Sequence, residues 1–206
     1  MNYPPIHHQE SNFKNAIRLI EHSPLALLIT AENDTPFSTH VPMVFKQNSN
    51  DTILRGHLDR LNPQTAHILQ EKKASLVFNG PETYISPAAY HSRQLPTWNY
   101  FKVHLQGRLI PLKDPKDISQ SLVEMTTFLE PQKNFELTPD DPRMKALLNH
   151  IIGFEFHLNH WEGKYKISQD KPSRDQLAAK DQMIKQFPNQ QDLIERLYAA
   201  HQTKKP

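Results

Sequence analysis

The 206-residue chain has 37% hydrophobic residues, 22% charged residues and a net charge of +2, a composition typical of an ordinary folded protein. No segment approaches the roughly 20 consecutive apolar residues that a membrane span requires, and the polar stretch 1–10 predicts no signal peptide. Cysteine is absent, which excludes disulfides, thiolate nucleophiles and cysteine-based metal sites. We therefore expect a cytoplasmic protein with no membrane partner.

The glycine count excludes the common nucleotide-binding loops. The five glycines lie at least 10 residues apart, at positions 56, 80, 107, 153 and 163. Walker and Rossmann motifs need several glycines within a few residues, because the backbone N–H groups must approach phosphate closely. If this chain binds a nucleotide, side chains or a helix N-terminus must hold the phosphate.

The first half of the chain predicts a short helix followed by a β-meander. Phe13, Ile17 and Ile20 recur at helical spacing, and Pro24 stops the pattern. Strand-like runs separated by polar turns follow at 25–30, 37–45 and 52–58. A helix then begins with Asn62 as its N-cap and Pro63 in its first turn, and is predicted to reach residue 72.

The second half predicts further strands with helices between and after them. Strands are expected at 74–79, 83–86, 98–110, 151–158 and 164–167, and helices near 114–129, 144–148, 173–187 and 189–201. Ser173 and Gln176 suggest a capping box. We expect a mainly β (α+β) fold of about six antiparallel strands closed into a barrel, because closure hides strand edges. Residues 1–206 would form one domain, with the barrel in 1–170 and a helical appendage in 171–206.

Metal and catalytic motifs are not indicated. The chain has twelve histidines, but HExxH does not occur, and the i,i+3 pair His157 and His160 would point to opposite faces of a strand. The GxSxG pattern of a nucleophile elbow is also missing. We therefore predict no metal ligand and no catalytic residue.

The segment 56–64 predicts a way to hold phosphate without glycine. A strand ends there, Arg60 follows, and a capped helix begins, so a guanidinium fork and free N–H groups would lie together. An ordinary strand-to-helix turn would give the same spacing. A second cluster around Tyr84, Ser86, Trp98 and Asn99 suits a planar heteroaromatic ligand, although packing at a barrel rim explains it equally well.

Four long blocks together resemble one known family. GHLDRLNPQ (56–64), FNGPETYISPAAY (78–90), LPTWNYFKVHLQGRL (95–109) and IIGFEFHLNHWEGKYKISQDKP (151–172) are similar, in order and spacing, to the PaiB-type family of FMN-binding negative transcriptional regulators. The opening Tyr3-Pro4-Pro5 and the run THVPMVF at 39–45 also match. The resemblance thus covers nearly the whole chain.

The resemblance implies a split β-barrel related to pyridoxamine-phosphate oxidases and flavin reductases, in which two protomers bind FMN at their interface. The matching cofactor-binding positions are Thr39, His40, Val41, Gly56, His57, Leu58, Arg60, Asn62, Tyr84, Ser86, Trp98, Asn99, Lys164, Ser168 and Gln169. Those near Tyr84 and Trp98 would border the flavin ring, partly from the second protomer. The family's usual SQN is SQD here, and the carboxylate of Asp170 would repel a nearby phosphate.

Three functions remain open from the sequence. The first is an FMN-binding, homodimeric repressor that contacts promoter DNA, for which the segment from Lys164 onward offers nine basic residues against five acidic ones. The second is an FMN-dependent oxidoreductase acting on a small molecule or on NAD(P)H. The third is a ligand-sensing protein without turnover. No helix-turn-helix with a basic recognition helix is visible, but the family resemblance favours the regulator over the enzyme.

Overall fold

A computed structural model describes residues 4–47 and 51–202 of the chain, with side chains up to residue 200. Tyr3, part of the polar loop before Asp51 and the final two lysines lie outside the described residues. The strands are β1 (Gln9–Glu10), β2 (Leu25–Glu32), β3 (Thr35–Pro42), β4 (Val44–Phe45), β5 (Ile53–Asp59), β6 (Lys73–Ile85), β7 (Thr97–Pro111) and β8 (Ile151–Lys166). The helices are α1 (Phe13–His22), α2 (Gln64–Leu69), α3 (Pro115–Leu129), α4 (Met144–His150), α5 (Ser173–Gln186) and α6 (Gln191–Gln202).

The strands form one sheet whose two ends are consecutive in the chain. Its order is β3-β2-β6-β7-β8-β5-β4, and β1 pairs with β8. Only Met43 separates β3 from β4, yet β3 pairs antiparallel with β2 while β4 pairs antiparallel with β5. The chain at Met43 therefore joins the two ends of the sheet and closes it into a barrel. This confirms the predicted α+β barrel, in which six of the described strands are seven residues or longer.

The chain divides into two compact units, and the division falls inside β6, β7 and β8. The unit of residues 24–77 and 105–161 holds β2 to β5 with α2, α3 and α4, and its buried side chains include Leu28, Met43 and Phe156. The other unit comprises residues up to 23, 78–104 and from 162 onward. It holds α1, α5 and α6, and it buries Leu19, Phe101 and Tyr165. That 1–206 is one domain with an appendage at 171–206 stays a prediction.

Two strands continue where the sequence pattern predicts breaks. β6 continues through Gly80 without a turn. The absence of a side chain at Gly80 makes room for the helix α1. A Cβ at Gly80 would lie 2.4 Å from Leu19 Cδ1 of α1 and 3.0 Å from Phe101 Cβ. β8 likewise runs through Gly163, which pairs with Glu10 of β1.

The capping box predicted at α5 is wrong. Pro172 occupies the cap and has no side-chain acceptor, and Gln176 Nε2 instead donates to Lys171 O over 2.7 Å. Across residues 4–47 and 51–202, no helix is both long enough and apolar enough to span a membrane.

Candidate functional site

The turn between β5 and α2 is held by its own backbone and side chains. Leu61 N donates to Asp59 Oδ1 over 2.7 Å, and Asn62 N donates to Asp59 O over 3.0 Å. Gln64 N donates to Asn62 Oδ1 over 2.9 Å, so this asparagine does cap the start of the helix, immediately before Pro63. The helix ends at Leu69 and does not reach residue 72. Two residues beyond its end, Glu71 adopts a positive φ of 52°.

This turn corrects one part of the predicted phosphate cradle. The backbone N–H groups at 60–62 and 64–66 all donate to acceptors within the protein, and residue 63 is proline. The start of α2 therefore offers no free N–H group to an anion. Phosphate binding in this segment depends on side chains.

Arg60 is the side chain in the turn that best fits an anion. It is exposed, and its guanidinium makes no hydrogen bond or ion pair with any residue that the structure describes. Two residues later, Asn62 Nδ2 donates to Thr39 Oγ1 of β3 over 2.9 Å. The structure thus joins Thr39 and Asn62, which belong to different blocks of the sequence, two residues along the chain from Arg60, whose guanidinium is a free bidentate donor. Such a donor matches the geometry of a phosphate group.

A buried polar network beneath this turn fixes α2 against the barrel. Gln64 is 1% exposed, and its Nε2 donates to Thr30 Oγ1 over 3.0 Å and to Phe37 O over 3.3 Å. Thr30 Oγ1 also lies 2.6 Å from His67 Nδ1. The i,i+3 spacing of Gln64 and His67 puts both on one face of α2, but the sequence did not show that the strands would offer polar partners. These two residues were missed.

Three of the predicted residues in this unit are buried or directed away from the turn. Gly56 and Leu58 face the barrel interior, where a Cβ at Gly56 would lie 2.4 Å from Met43 Sδ. His57 points the other way, and its Nε2 lies 2.7 Å from Ser121 Oγ of α3. Burial, reinforced by the charge of Arg55, lowers the pKa of His57 to about 4. Its imidazole is therefore neutral at physiological pH.

The remaining two residues of β3 lie on opposite faces of the strand. His40 is exposed, whereas Val41 is 1% exposed and belongs to the core. Because side chains alternate along a strand, Thr39 and Val41 share one parity and His40 has the other. Contact of His40, Val41, Gly56, His57 and Leu58 with a cofactor stays a prediction.

In the second unit, the predicted aromatic residues form an exposed pair. The rings of Tyr84 and Trp98 meet edge to face with centroids 6.2 Å apart, and the two residues are 45% and 53% exposed. Ser86 Oγ accepts from Ala88 N over 3.3 Å and so caps a short 3₁₀ turn. Lys164 Nζ lies 5.5 Å from the centroid of the Tyr100 ring. The pair offers apolar ring surface of the kind that a flavin can contact.

Asn99 and Ser168 are buried and hydrogen-bonded within the protein. Asn99 Oδ1 accepts from Ser168 Oγ over 3.1 Å, and Ser168 Oγ lies 2.9 Å from the hydroxyl of Tyr90. Gln169 is also engaged, because its Nε2 donates to Tyr165 O and its Oε1 accepts from Ile167 N. These contacts give the three residues a structural role in the turn after β8. Their contact with a cofactor stays a prediction.

The charge of Asp170 is partly offset by its neighbour. Lys171 Nζ lies 3.1 Å from Asp170 Oδ2. Partial burial alone would raise the pKa of Asp170, but the hydrogen bond and the charge of Lys171 outweigh it and hold the pKa below its usual value. The carboxylate is therefore ionised and paired. Within the described ranges, no group of three or more histidine or acidic residues is arranged to hold a metal ion.

The closed antiparallel barrel with inserted helices is a split-barrel fold. Two solved structures share this fold. The FAD and heme binding protein from Mycobacterium smegmatis superposes with a TM-score of 0.64 at 14% identity, covering 84% of this chain and 80% of that protein. The flavocytochrome Anf3 from Azotobacter vinelandii gives a TM-score of 0.62 at 14% identity, covering 83% of this chain and 75% of that protein.

The chain belongs to the FMN-binding family described as "Putative FMN-binding domain", whose sequence model matches residues 2–160. It is also 25% identical over 197 residues to "Protease synthase and sporulation protein PAI 2" of Bacillus subtilis (strain 168), covering 94% of this chain and 95% of that relative. This match confirms the PaiB-type resemblance that the four blocks predict. FMN is the cofactor of the family.

Proposed function

We propose that the protein is a homodimeric, FMN-binding negative regulator of transcription of the PaiB type. The observation that carries the proposal is the exposed guanidinium of Arg60, which has no partner among the described residues and lies two residues before Asn62 and its hydrogen bond to Thr39, within the family's matched region. A guanidinium is a donor that suits an FMN phosphate, and the sequence has no glycine-rich loop to replace it.

The chain's own residues would hold FMN by its two ends. Arg60 would bind the phosphate, while Asn62 keeps the turn in place through its bonds to Thr39 and Gln64. The exposed rings of Tyr84 and Trp98 would border the isoalloxazine, partly from the second protomer. Bound FMN supplies redox chemistry or a sensing group, and the protein supplies its orientation.

Large apolar side chains that are exposed in each of the two units support a dimer. Leu61, which follows Arg60, is 91% exposed, and Leu25 and Leu69 of the same unit are 56% and 62% exposed. In the other unit, Leu95 is 81% exposed and lies three residues before Trp98. Large apolar side chains that are exposed in a single protomer favour a surface that a partner covers. The partner proposed here is a second copy of the chain.

In this proposal the segment from Lys164 onward contacts the DNA. From Lys164 onward the sequence carries nine Lys and Arg against five Asp and Glu, a local excess of +4. Arg174, Lys185 and Arg196 are exposed on α5 and α6. Neutralising phosphates with such side chains makes binding strongly dependent on salt.

The test uses the full-length, FMN-loaded protein and three measurements. Sedimentation gives the oligomeric state, retardation of the DNA upstream of its own gene is compared with scrambled DNA, and NAD(P)H is added in air while flavin absorbance is followed. A dimer with sequence-selective, salt-dependent retardation supports the proposal. A monomer overturns it. Bleaching by NAD(P)H with peroxide formation and no DNA selectivity replaces it with an FMN-dependent oxidoreductase, and neither activity replaces it with a ligand sensor.

A further inference from the structure

Asp175 is a buried carboxylate in the first turn of α5, and its partners lie more than 80 positions earlier in the chain. It is 1% exposed. Its Oδ1 accepts from His91 N over 2.6 Å and from Ser92 N over 3.2 Å. Its Oδ2 accepts from the Ser92 hydroxyl and, over 3.4 Å, from Gln94 Nε2. One carboxylate thus accepts four hydrogen bonds from donors in a single loop.

These bonds favour the ionised form of the side chain. The hydrogen bond from the Ser92 hydroxyl lowers the pKa of Asp175, and the backbone donors of His91 and Ser92 act in the same direction. The first turn of a helix also stabilises a negative charge, because the helix dipole is positive there. Asp175 is therefore a fixed anionic anchor at the start of α5.

The loop that Asp175 holds has little other support. Among residues 91–96, only Gln94 is partly buried and the others are exposed, so core packing does not set the conformation of this loop. The loop leads directly into Trp98, at the start of β7. The carboxylate of Asp175 therefore supplies the hydrogen bonds that hold residues 91–94 of this loop, while Lys166 Nζ holds its end by donating to Thr97 Oγ1 over 2.5 Å.

α5 also makes hydrogen bonds to the segment that carries Tyr84, the other exposed aromatic residue. Gln182 Nε2 donates to the backbone oxygen of Tyr84 over 2.9 Å, and Gln186 accepts from the Thr83 hydroxyl. α5 therefore contacts both segments that present the Tyr84–Trp98 pair, one near each of its ends.

We infer that Asp175 is a positioning residue for the flavin ring: it sets the loop 91–94 and thereby the edge-to-face arrangement of Trp98 and Tyr84 that the ring contacts. This rests on the proposed function, in which these two aromatic residues border the isoalloxazine. Asp175 is 1% exposed and bonded to the loop, so it would act on the flavin only through these residues. Sequence reasoning missed it because an acidic residue in a first helical turn is ordinary, and its distant loop partners cannot be identified from spacing.

The test compares the dissociation constants of FMN and riboflavin, which share the ring and differ by the phosphate. Asp175→Ala is expected to weaken both flavins by the same factor, on the order of tenfold, since hydrogen bonds to a charged group are lost. Asp175→Asn, which keeps one acceptor oxygen and the volume, should weaken both by less. Asp181→Ala removes an exposed acid of the same helix and should change neither. Tryptophan emission, to which Trp98 and Trp161 both contribute, should shift in the Asp175 variants and not in Asp181→Ala.

Different outcomes separate this inference from the function on which it rests. A folded Asp175→Ala protein that binds both flavins like the parent overturns the inference and leaves the proposed function standing. Loss of FMN affinity alone also overturns it, because that would place Asp175 at the phosphate end. If Asp175→Ala does not fold, Ser92→Ala removes one donor to Oδ2, and unchanged affinity for both flavins then overturns the inference. A parent protein that binds neither flavin overturns both.

Discussion

Asn62 Nδ2 donates to Thr39 Oγ1 over 2.9 Å, and this hydrogen bond ties the turn after β5 to the neighbouring strand β3. The other atom of the same amide, Oδ1, accepts from Gln64 N over 2.9 Å and caps α2. One side chain thus joins two blocks that are far apart in sequence. It also fixes the backbone that carries Arg60.

Replacing Asn62 by aspartate separates these two roles. The introduced carboxylate would keep an acceptor for Gln64 N but would lose the donor to Thr39 and add a negative charge near the proposed phosphate site. We expect Asn62→Asp to retain most of the free energy of unfolding while weakening FMN binding by about tenfold or more. Asn62→Ala, which loses the cap as well, should cost about 1 kcal/mol of stability. Urea denaturation and flavin titration of both variants measure the two effects, and an Asn62→Asp protein with parental affinity for FMN would refute the assignment.

The lowered pKa of His57 predicts that the folded protein loses stability in mild acid. Its pKa is about 4 in the folded protein and near the ordinary 6.5 in the unfolded chain, so the unfolded chain takes up the proton first. The stabilisation is complete above pH 6.5 and falls as the pH drops toward 4, by about 3 kcal/mol in all. Urea denaturation at a series of pH values measures this slope.

The pH dependence of stability is tested with the variant His57→Gln, and His22→Gln is its control. Glutamine at 57 can still bond the Ser121 hydroxyl but cannot titrate, so part of the slope between pH 6.5 and 4 should disappear. Burial also lowers the pKa of His8 to about 4, so His8 leaves a residual slope in the His57 variant. His22 is exposed, and His22→Gln controls for the loss of a histidine side chain at the surface. An unaltered slope in His57→Gln would contradict the burial of this imidazole.

The close approach of β8 to Gly107 predicts that this position of the barrel wall requires glycine. A Cβ there would lie 2.3 Å from His157 O, a backbone atom of β8, and 2.7 Å from the Phe156 ring. We expect Gly107→Ala to lower the free energy of unfolding by about 1–3 kcal/mol, because a strand must shift. Gly153→Ala is the control: its Cβ would meet side-chain atoms of Leu112 and Ile118 at 3.1 and 3.2 Å, so it should cost less. Equal costs would show that β7 and β8 do not approach this closely.

Local patterns in the sequence predicted most of the fold. Alternating apolar residues located the long strand β7, and Asp114 with Pro115 marked the start of α3, where Asp114 does accept from Lys116 N. The errors arose where a residue has a distant cause. The sequence pattern predicts a break between residues 79 and 83, but the strand continues there, and Gly80 makes room for Leu19 of α1.

The site was less predictable than the fold. Arg60 and Asn62 stood out because a strand, an arginine and a helix cap are adjacent in sequence. The resemblance alone supplied Asn99 and Ser168, and the structure gives them buried partners, Tyr198 and Tyr90. Asp175 and Gln64 had no visible signal, because the groups they bond are brought near only by the folded barrel and by α5.

The most direct test of the account is a paired titration of the Arg60→Ala protein with FMN and riboflavin. Loss of a charge-assisted bond to phosphate should raise the dissociation constant for FMN by about 10- to 100-fold and leave that for riboflavin unchanged. Arg196→Ala, which removes an exposed arginine of α6, is the control and should bind both like the parent. Unchanged FMN affinity in Arg60→Ala, or an equal loss for both flavins, would contradict the claim that this side chain grips the phosphate.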